Sequence, residues 1–296
     1  LLNFYEKKYY TFGIDPLVKK YKKNYKSINF KIPSFFSKDK ITKVTSKKFK
    51  IITALAVFYD LENPNSFLNE VEKLLHEDGI ILIEFADILS MIKFNMFDAI
   101  CHEHLMYLSS KTIFQMAKNN KLRIFDIKYN DINGGSAQYY ICKEKAKFKN
   151  NSKKINKIFK LEEKFGIEKV YTYKKFFNKI ENINYNLKKI IKLIKKKKQS
   201  IHGYGASTKG NVLLQYFGIT KKEIDFIADR NPRKINYFTP GTKIKIISEK
   251  KSRNIMPDYY LVLPWHFKKE ILNREKKTIK NGSKFVFPLP NLKIYK

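Results

Sequence analysis

The 296-residue sequence carries 61 lysines and arginines against 27 acids, a formal net charge of +34, with 43% hydrophobic and 15% aromatic residues. That apolar share excludes a disordered basic tail, and the length allows two modest domains, each with its own core. No apolar run approaches the ~20 residues of a membrane helix, and Leu1–Tyr10 lacks the apolar stretch of a secretory signal.

Cys101 and Cys142 give neither a disulfide framework nor a paired-cysteine zinc site, so a reducing cytoplasm is the expected setting. Lysines run along the whole chain among abundant Ile, Asn, Phe and Tyr, which suits solvated surface better than a nucleic-acid groove. Neither membrane nor nucleic acid is expected as a partner. The chain opens on leucine rather than an initiator methionine, as a fragment does.

In chain order, residues 1–148 alternate short apolar runs with amphipathic stretches. Tyr10–Ile14 reads as a strand ending on Asp15-Pro16, and Phe49–Leu55 as a second. A helix is predicted from about Ser66 to His76, then a turn at Asp78-Gly79 into the strand Ile80–Glu84. This alternation argues for a parallel α/β sheet. Residues 149–198 are lysine-rich and lack proline, and Phe176, Ile180, Ile183, Leu187, Ile190, Ile191 and Ile194 recur every three or four positions. They predict one or two connecting amphipathic helices.

Residues 199–296 restart a strand, glycine turn and helix. Ser200–His202 leads into Gly203-Tyr204-Gly205 and on to Lys209-Gly210; a helix Asn211–Phe217 and a strand Ile224–Ala228 ending on Asp229 follow. Later strands are predicted at Tyr259–Leu263 and Lys284–Phe287. Glycines let a backbone approach a phosphate at a helix N-terminus, and Asp229 stands where a ribose-binding acid would sit. The spacing departs from the dinucleotide pattern, so tight-turn packing without a nucleotide is an equal reading.

The stretch Phe97–Tyr107 places His102, Glu103 and His104 together. A metalloprotease helix needs histidines four apart, and Met106 stands at that position. Two metal ligands on a strand face, hydrogen-bonded core histidines and acid–base chemistry all stay open, the last suiting an imidazole beside a carboxylate.

Taken together, FDAICHEHLMYLS (97–109), Asn133-Gly134-Gly135-Ser136, GYGASTKGN (203–211), DRNPRK (229–234), Pro240-Gly241-Thr242 and PDYYLVLPW (257–265) resemble the S-adenosylmethionine-dependent sugar C-methyltransferase family. The resemblance runs from Leu1 to the C-terminus. It implies an α/β fold: an incomplete Rossmann-like class I methyltransferase sheet (1–148), a helical connector (149–198) and a second small Rossmann-like domain (199–296). It implies S-adenosylmethionine as cofactor and a nucleotide-linked keto-deoxysugar as substrate. His104 would be the base that removes the proton beside the ketone, Glu103 would hold the sugar, and His102 would support them. Asp15 and Pro16 map to the cofactor's ribose, Ala54 and Leu55 to the wall near its methionine and adenine. Gly134, Gly135, Ser136, Tyr204, Lys209 and Trp265 map to the substrate side.

The chain departs from that pattern at Cys101, where the family has tyrosine, at Asn133 in place of histidine, and at Gln138 in place of arginine. The family's cysteine-rich zinc domain and its Gly-x-x-Asp-Gly loop are not in the sequence, so no zinc is expected and two strands should expose unpaired edges. The competing readings are sugar O- or N-methylation on the same fold, a basic nucleic-acid-binding protein, and a non-catalytic remnant.

Overall fold

A computed structural model describes residues 1–25 and 27–296. It divides into two compact units that interleave along the chain. The first contains 1–84, 111–127 and 139–155; the second contains 85–110, 128–138 and 156–296. The three consecutive segments expected from the sequence are therefore cut differently: the His102–His104 stretch and the Gly134-Gly135 turn cluster with the C-terminal residues.

In the first unit, β1 (Phe12–Ile14) pairs in parallel with β2 (Phe30–Ile32) as a two-stranded sheet. After the short α1 (Lys38–Thr42) come β3 (Phe49–Leu55), α2 (Pro64–Leu74) and β4 (Leu75–Phe85). Pro64 at the first helical position and the Asn63 side chain, which accepts from the Ser66 amide at 2.9 Å, fix the start of α2. Beyond α3 (Ile88–Lys93) and α4 (Ser110–Asn119), β5 (Leu122–Asn130) and β6 (Ser136–Lys143) complete a four-stranded sheet in the order β3-β4-β6-β5.

The predicted turn at Asp78-Gly79 is corrected: β4 runs unbroken through both residues, and its pairing with β3 absorbs an irregularity between Phe49 and Ile51. Gly79 is needed there because a Cβ would come within 2.8 Å of the Phe49 carbonyl.

Among the described residues β1 pairs only with β2, and β3 lies at the edge of its sheet. Ile51 and Leu55 on that edge strand are 48% and 40% exposed, unlike the buried Ile81 and Ile83 next door. Phe12 and Phe49, the first residues of β1 and β3, meet edge to face with ring centroids 5.0 Å apart.

The second unit is built on α5 (Ser152–Phe165), α6 (Val170–Lys196) and a six-stranded sheet. The 27-residue α6 buries Phe176, Ile180, Ile183, Leu187, Ile191 and Ile194, the stripe expected from the sequence, while its lysines face solvent. The sheet is formed by β7 (Ile201–Tyr204), β8 (Ile227–Asp229), β9 (Ile246–Ser248), β10 (Tyr259–Val262), β11 (Lys284–Phe287) and β12 (Lys293–Tyr295), in the order β12-β11-β10-β7-β8-β9. All pairs are parallel except β11 with β12.

Helices α7 (Thr208–Tyr216), α8 (Glu249–Ile255), α9 (Lys268–Arg274) and α10 (Lys276–Lys280) connect these strands. Strand order reverses between β7 and β10, the position where open α/β sheets form a crevice beyond their strand ends. Leu213, Leu214, Ile227, Leu261, Val262, Phe285 and Val286 fill the core. Among the described residues no helix is long and apolar enough to cross a membrane.

Candidate active site

The loop that carries His102, Glu103 and His104 is tied at both ends. Asp87, with no exposed surface, caps α3 through the Ser90 amide at 3.0 Å and accepts the Tyr129 hydroxyl at 2.8 Å. Buried Glu162 accepts the Ser110 amide at 2.6 Å, and the Ile88 amide donates to the Leu108 carbonyl. Between these anchors Phe97–Ala99 forms one 3-10 turn and Cys101–Glu103 a bend and turn. The strand face on which His102 and His104 would share a metal is therefore corrected: no strand forms here. Among the described residues no group of three or more His, Cys, Asp or Glu side chains is arranged to hold a metal ion.

His102 and Glu103 point to solvent, and His104 is half-buried. The Cys101 thiol lies 3.9 Å from the Glu103 carboxylate. Burial holds the His104 imidazole below its ordinary pKa, helped by the Lys209 ammonium and opposed by a hydrogen bond to the Ala99 carbonyl and by Glu103. A ring that donates one N–H to a carbonyl carries its lone pair on the other nitrogen, the form a proton acceptor needs.

Several predicted residues converge beside this loop. The Lys209 Nζ, on the first turn of α7, donates to the Asn133 carbonyl at 3.0 Å. Trp265 donates its indole N–H to the buried Asp98 carboxylate at 2.8 Å. Gly134, at φ +97°, packs on that indole so closely that a Cβ would stand 2.7 Å from its Cη2. Burial pushes the Asp98 pKa up to about 6, against the pull of Lys209 and Trp265. Lys209 is lowered by burial and raised by Asp98 and Cys101. His266, next to Trp265, is lowered to about 4 by burial and Lys209.

Other predicted residues stand apart from this cluster. Gly135 packs against Phe94 and Ser90, and the buried Ser136 hydroxyl donates to the Ile132 carbonyl at 3.0 Å. Buried Tyr204 donates to Glu275 at 2.8 Å and accepts from Arg274. It lines a separate cleft of about 230 Å³ at the strand reversal, together with Asp229, Lys234, Glu249, Glu270 and Arg274. The charges of that cleft are matched within it: Arg274 meets Glu270 at 2.8 Å and Glu249 at 3.3 Å, and Asp229 accepts the Ala206 and Asn231 amides at 2.7 Å each. The amide that would cradle a phosphate is thus held by Asp229, the tight-turn alternative of the two readings.

In the first unit, Asp15 follows β1, and one of its carboxylate oxygens caps the Leu17 amide at 2.6 Å. Among the described residues no hydrogen bond engages the other oxygen. Pro16 opens the 3-10 turn, and at the end of β3 Ala54 is buried and Leu55 exposed. A half-buried acid at a parallel strand end with an uncommitted oxygen fits the hydroxyls of an adenosine ribose. Sequence reasoning gave no role to Asp98, which lies within the 97–109 motif, or to His266, which follows the 257–265 motif; burial distinguishes both.

Two α/β units with parallel sheets, the second doubly wound, and an imidazole–ammonium–carboxylate cluster describe a protein of Rossmann-type architecture with a candidate acid–base site. The profile of the C-methyltransferase C-terminal domain matches residues 131–290, and the chain belongs to the C-methyltransferase family. It is 28% identical over 245 residues to the C-methyltransferase NovU of Streptomyces niveus, covering 83% of this chain; the match spans 58% of NovU's length. Among solved structures, the N-methyltransferase NodS of Bradyrhizobium japonicum aligns over 45% of this chain and 73% of its own at 12% identity, TM-score 0.34. The plantazolicin methyltransferase BamL aligns over 46% and 68% at 15% identity, TM-score 0.33.

Proposed function

We propose that this chain belongs to a cytoplasmic S-adenosylmethionine-dependent C-methyltransferase acting on a nucleotide-linked keto-deoxysugar. The observation that carries the reading is the half-buried His104, hydrogen-bonded to the Ala99 carbonyl and held below its ordinary pKa beside the Lys209 ammonium. Carbon methylation needs a base for a carbon acid, and an imidazole kept neutral near pH 7 is one.

In this reading His104 takes the proton from the carbon beside the ketone. Glu103 holds a sugar hydroxyl, with His102 beside it, and the Gly134–Trp265 wall orients the ring face. Gly135 and Ser136 shape the turn behind that wall, and Tyr204 stiffens the sheet beneath it. Asp15 and Pro16 hold the cofactor's ribose, and Ala54 and Leu55 its adenine side. When bound, the cofactor supplies a methyl group already activated by its sulfonium charge. The protein contributes orientation and charge stabilisation, which together account for much of the rate in such sites.

Solvent-deuterium exchange tests the reading. Incubated in heavy water, a nucleoside-diphosphate 4-keto-6-deoxyhexose should take up deuterium beside the ketone, and the His104→Ala variant should lose that exchange. Methylation without exchange, or exchange indifferent to His104, would point to oxygen or nitrogen methylation instead.

A further inference from the structure

Asp98 is fully buried, and among the described residues one of its oxygens is accounted for by a neighbour. Oδ2 accepts the Trp265 N–H, while among the described residues no hydrogen bond from another residue reaches the buried Oδ1. Other buried carboxylates of this unit are better served: Glu275 accepts from Arg253, Tyr204 and Thr278, and Asp87 from the Ser90 amide on one oxygen and the Tyr129 hydroxyl on the other. A carboxylate kept in so poor a setting costs stability, and such groups persist where they serve something else. The Lys209 ammonium, bound to the Asn133 carbonyl at 3.0 Å, acts on Asp98 through its charge. Cys101 and His104 face the same ammonium from the loop, and His266 from the turn after β10.

We propose that Asp98 is a positioning residue, holding the Trp265 indole and the Lys209 ammonium so that Lys209 supplies the positive charge that receives the enolate oxygen. The inference rests on the proposed C-methylation. An enolate needs a strong donor at its oxygen, and the loop offers the Cys101 thiol, a weak one. The Lys209 ammonium acts through its charge on both His104 and Cys101 of that loop. As the proton moves from carbon to His104, the C–H electron pair becomes the enolate double bond and the carbonyl oxygen becomes negative. Lys209 keeps its proton and hydrogen-bonds that oxygen. When the carbon bonds the methyl group, the methyl–sulfur bond would break with its electron pair kept by sulfur, which would leave as the neutral thioether, while the carbonyl re-forms and His104 returns its proton to solvent. Asp98 touches no substrate; its negative charge keeps the half-buried Lys209 protonated.

The test uses the full chain, its variants Asp98→Asn, Lys209→Met and the double variant, and the deuterium exchange described above. The sole tryptophan reports folding through its indole N–H resonance, which the asparagine can still accept. The expected result is a fall in exchange kcat of roughly tenfold to a hundredfold in each single variant, with KM within about threefold. The double variant should be no slower than Lys209→Met, because the two act as one unit. The alkaline limb of the Asp98→Asn profile should move to lower pH, since Lys209 then loses its proton earlier; a merely structural role would not move it. An Asp98→Asn protein with the wild-type indole resonance, exchange within about twofold and an unmoved alkaline limb overturns the inference alone. Absence of exchange in the wild type overturns the C-methylation reading and this inference with it.

Discussion

The Trp265 indole N–H and the Asp98 carboxylate, 167 positions apart, meet at 2.8 Å in the interior of the second unit. This bond joins the turn that precedes the His104 loop to the turn after β10, and Gly134 packs on the same indole.

Stability should report the Asp98 carboxylate directly. Its folded pKa, raised to about 6, lies above the ordinary aspartate value, so the native state holds the proton longer than the unfolded chain. Its contribution is therefore intact at acidic pH and declines as pH rises from about 4 to about 6. Asp98→Asn should gain on wild type across that window by up to about 3 kcal/mol, taking about 1.4 kcal/mol per pK unit. Denaturant unfolding at pH 4.5 and 7.5 measures the difference; a constant gap between the two proteins would refute it.

Gly134→Ala should disturb the indole. The residue lies at φ +97°, and the new methyl would meet Trp265 at 2.7 Å. A loss of about 1–3 kcal/mol is expected from strain of this kind, with a shift in Trp265 emission. Unchanged emission and stability would mean that the indole does not pack as described.

The acidic limb of the exchange or methylation rate should lie below pH 6.5. Burial and Lys209 lower the His104 pKa, so the neutral base persists into mildly acidic solution. A limb at or above pH 6.5 would exclude His104 as the group that titrates there.

Asp229→Ala should destabilise the second unit rather than abolish nucleotide binding. The carboxylate accepts two backbone amides, Ala206 and Asn231, and its removal leaves the buried Ala206 amide unpaired. About 2–4 kcal/mol is expected for two charge-assisted bonds, read as a lower thermal midpoint. A dinucleotide such as NAD should leave the wild-type midpoint unmoved, and stabilisation by it would count against the self-closed turn.

The 296-residue chain should bind S-adenosylmethionine weakly, because the contacts proposed for it, Asp15 foremost, would serve only its adenosine end. Calorimetric titration showing micromolar affinity would refute this.

Much of this protein was legible from periodicity and motif. The apolar stripe of α6, the β3 and β11 boundaries, and the return of a strand–glycine–helix unit at β7 are local patterns, set by which side chains must leave water. The motifs likewise marked out His104, Lys209, Gly134 and Trp265. Other features depend on contacts between distant segments, which local pattern does not encode. Asp78-Gly79 reads as a turn, yet pairing with β3 holds it extended, where only glycine clears the Phe49 carbonyl. Asp229 reads as a ribose acid, yet the Ala206 amide folds back onto it. Asp98 is one acid among 27 in the sequence; burial beside Trp265 and Lys209 sets it apart, because desolvation and charge depend on what the folded chain brings near.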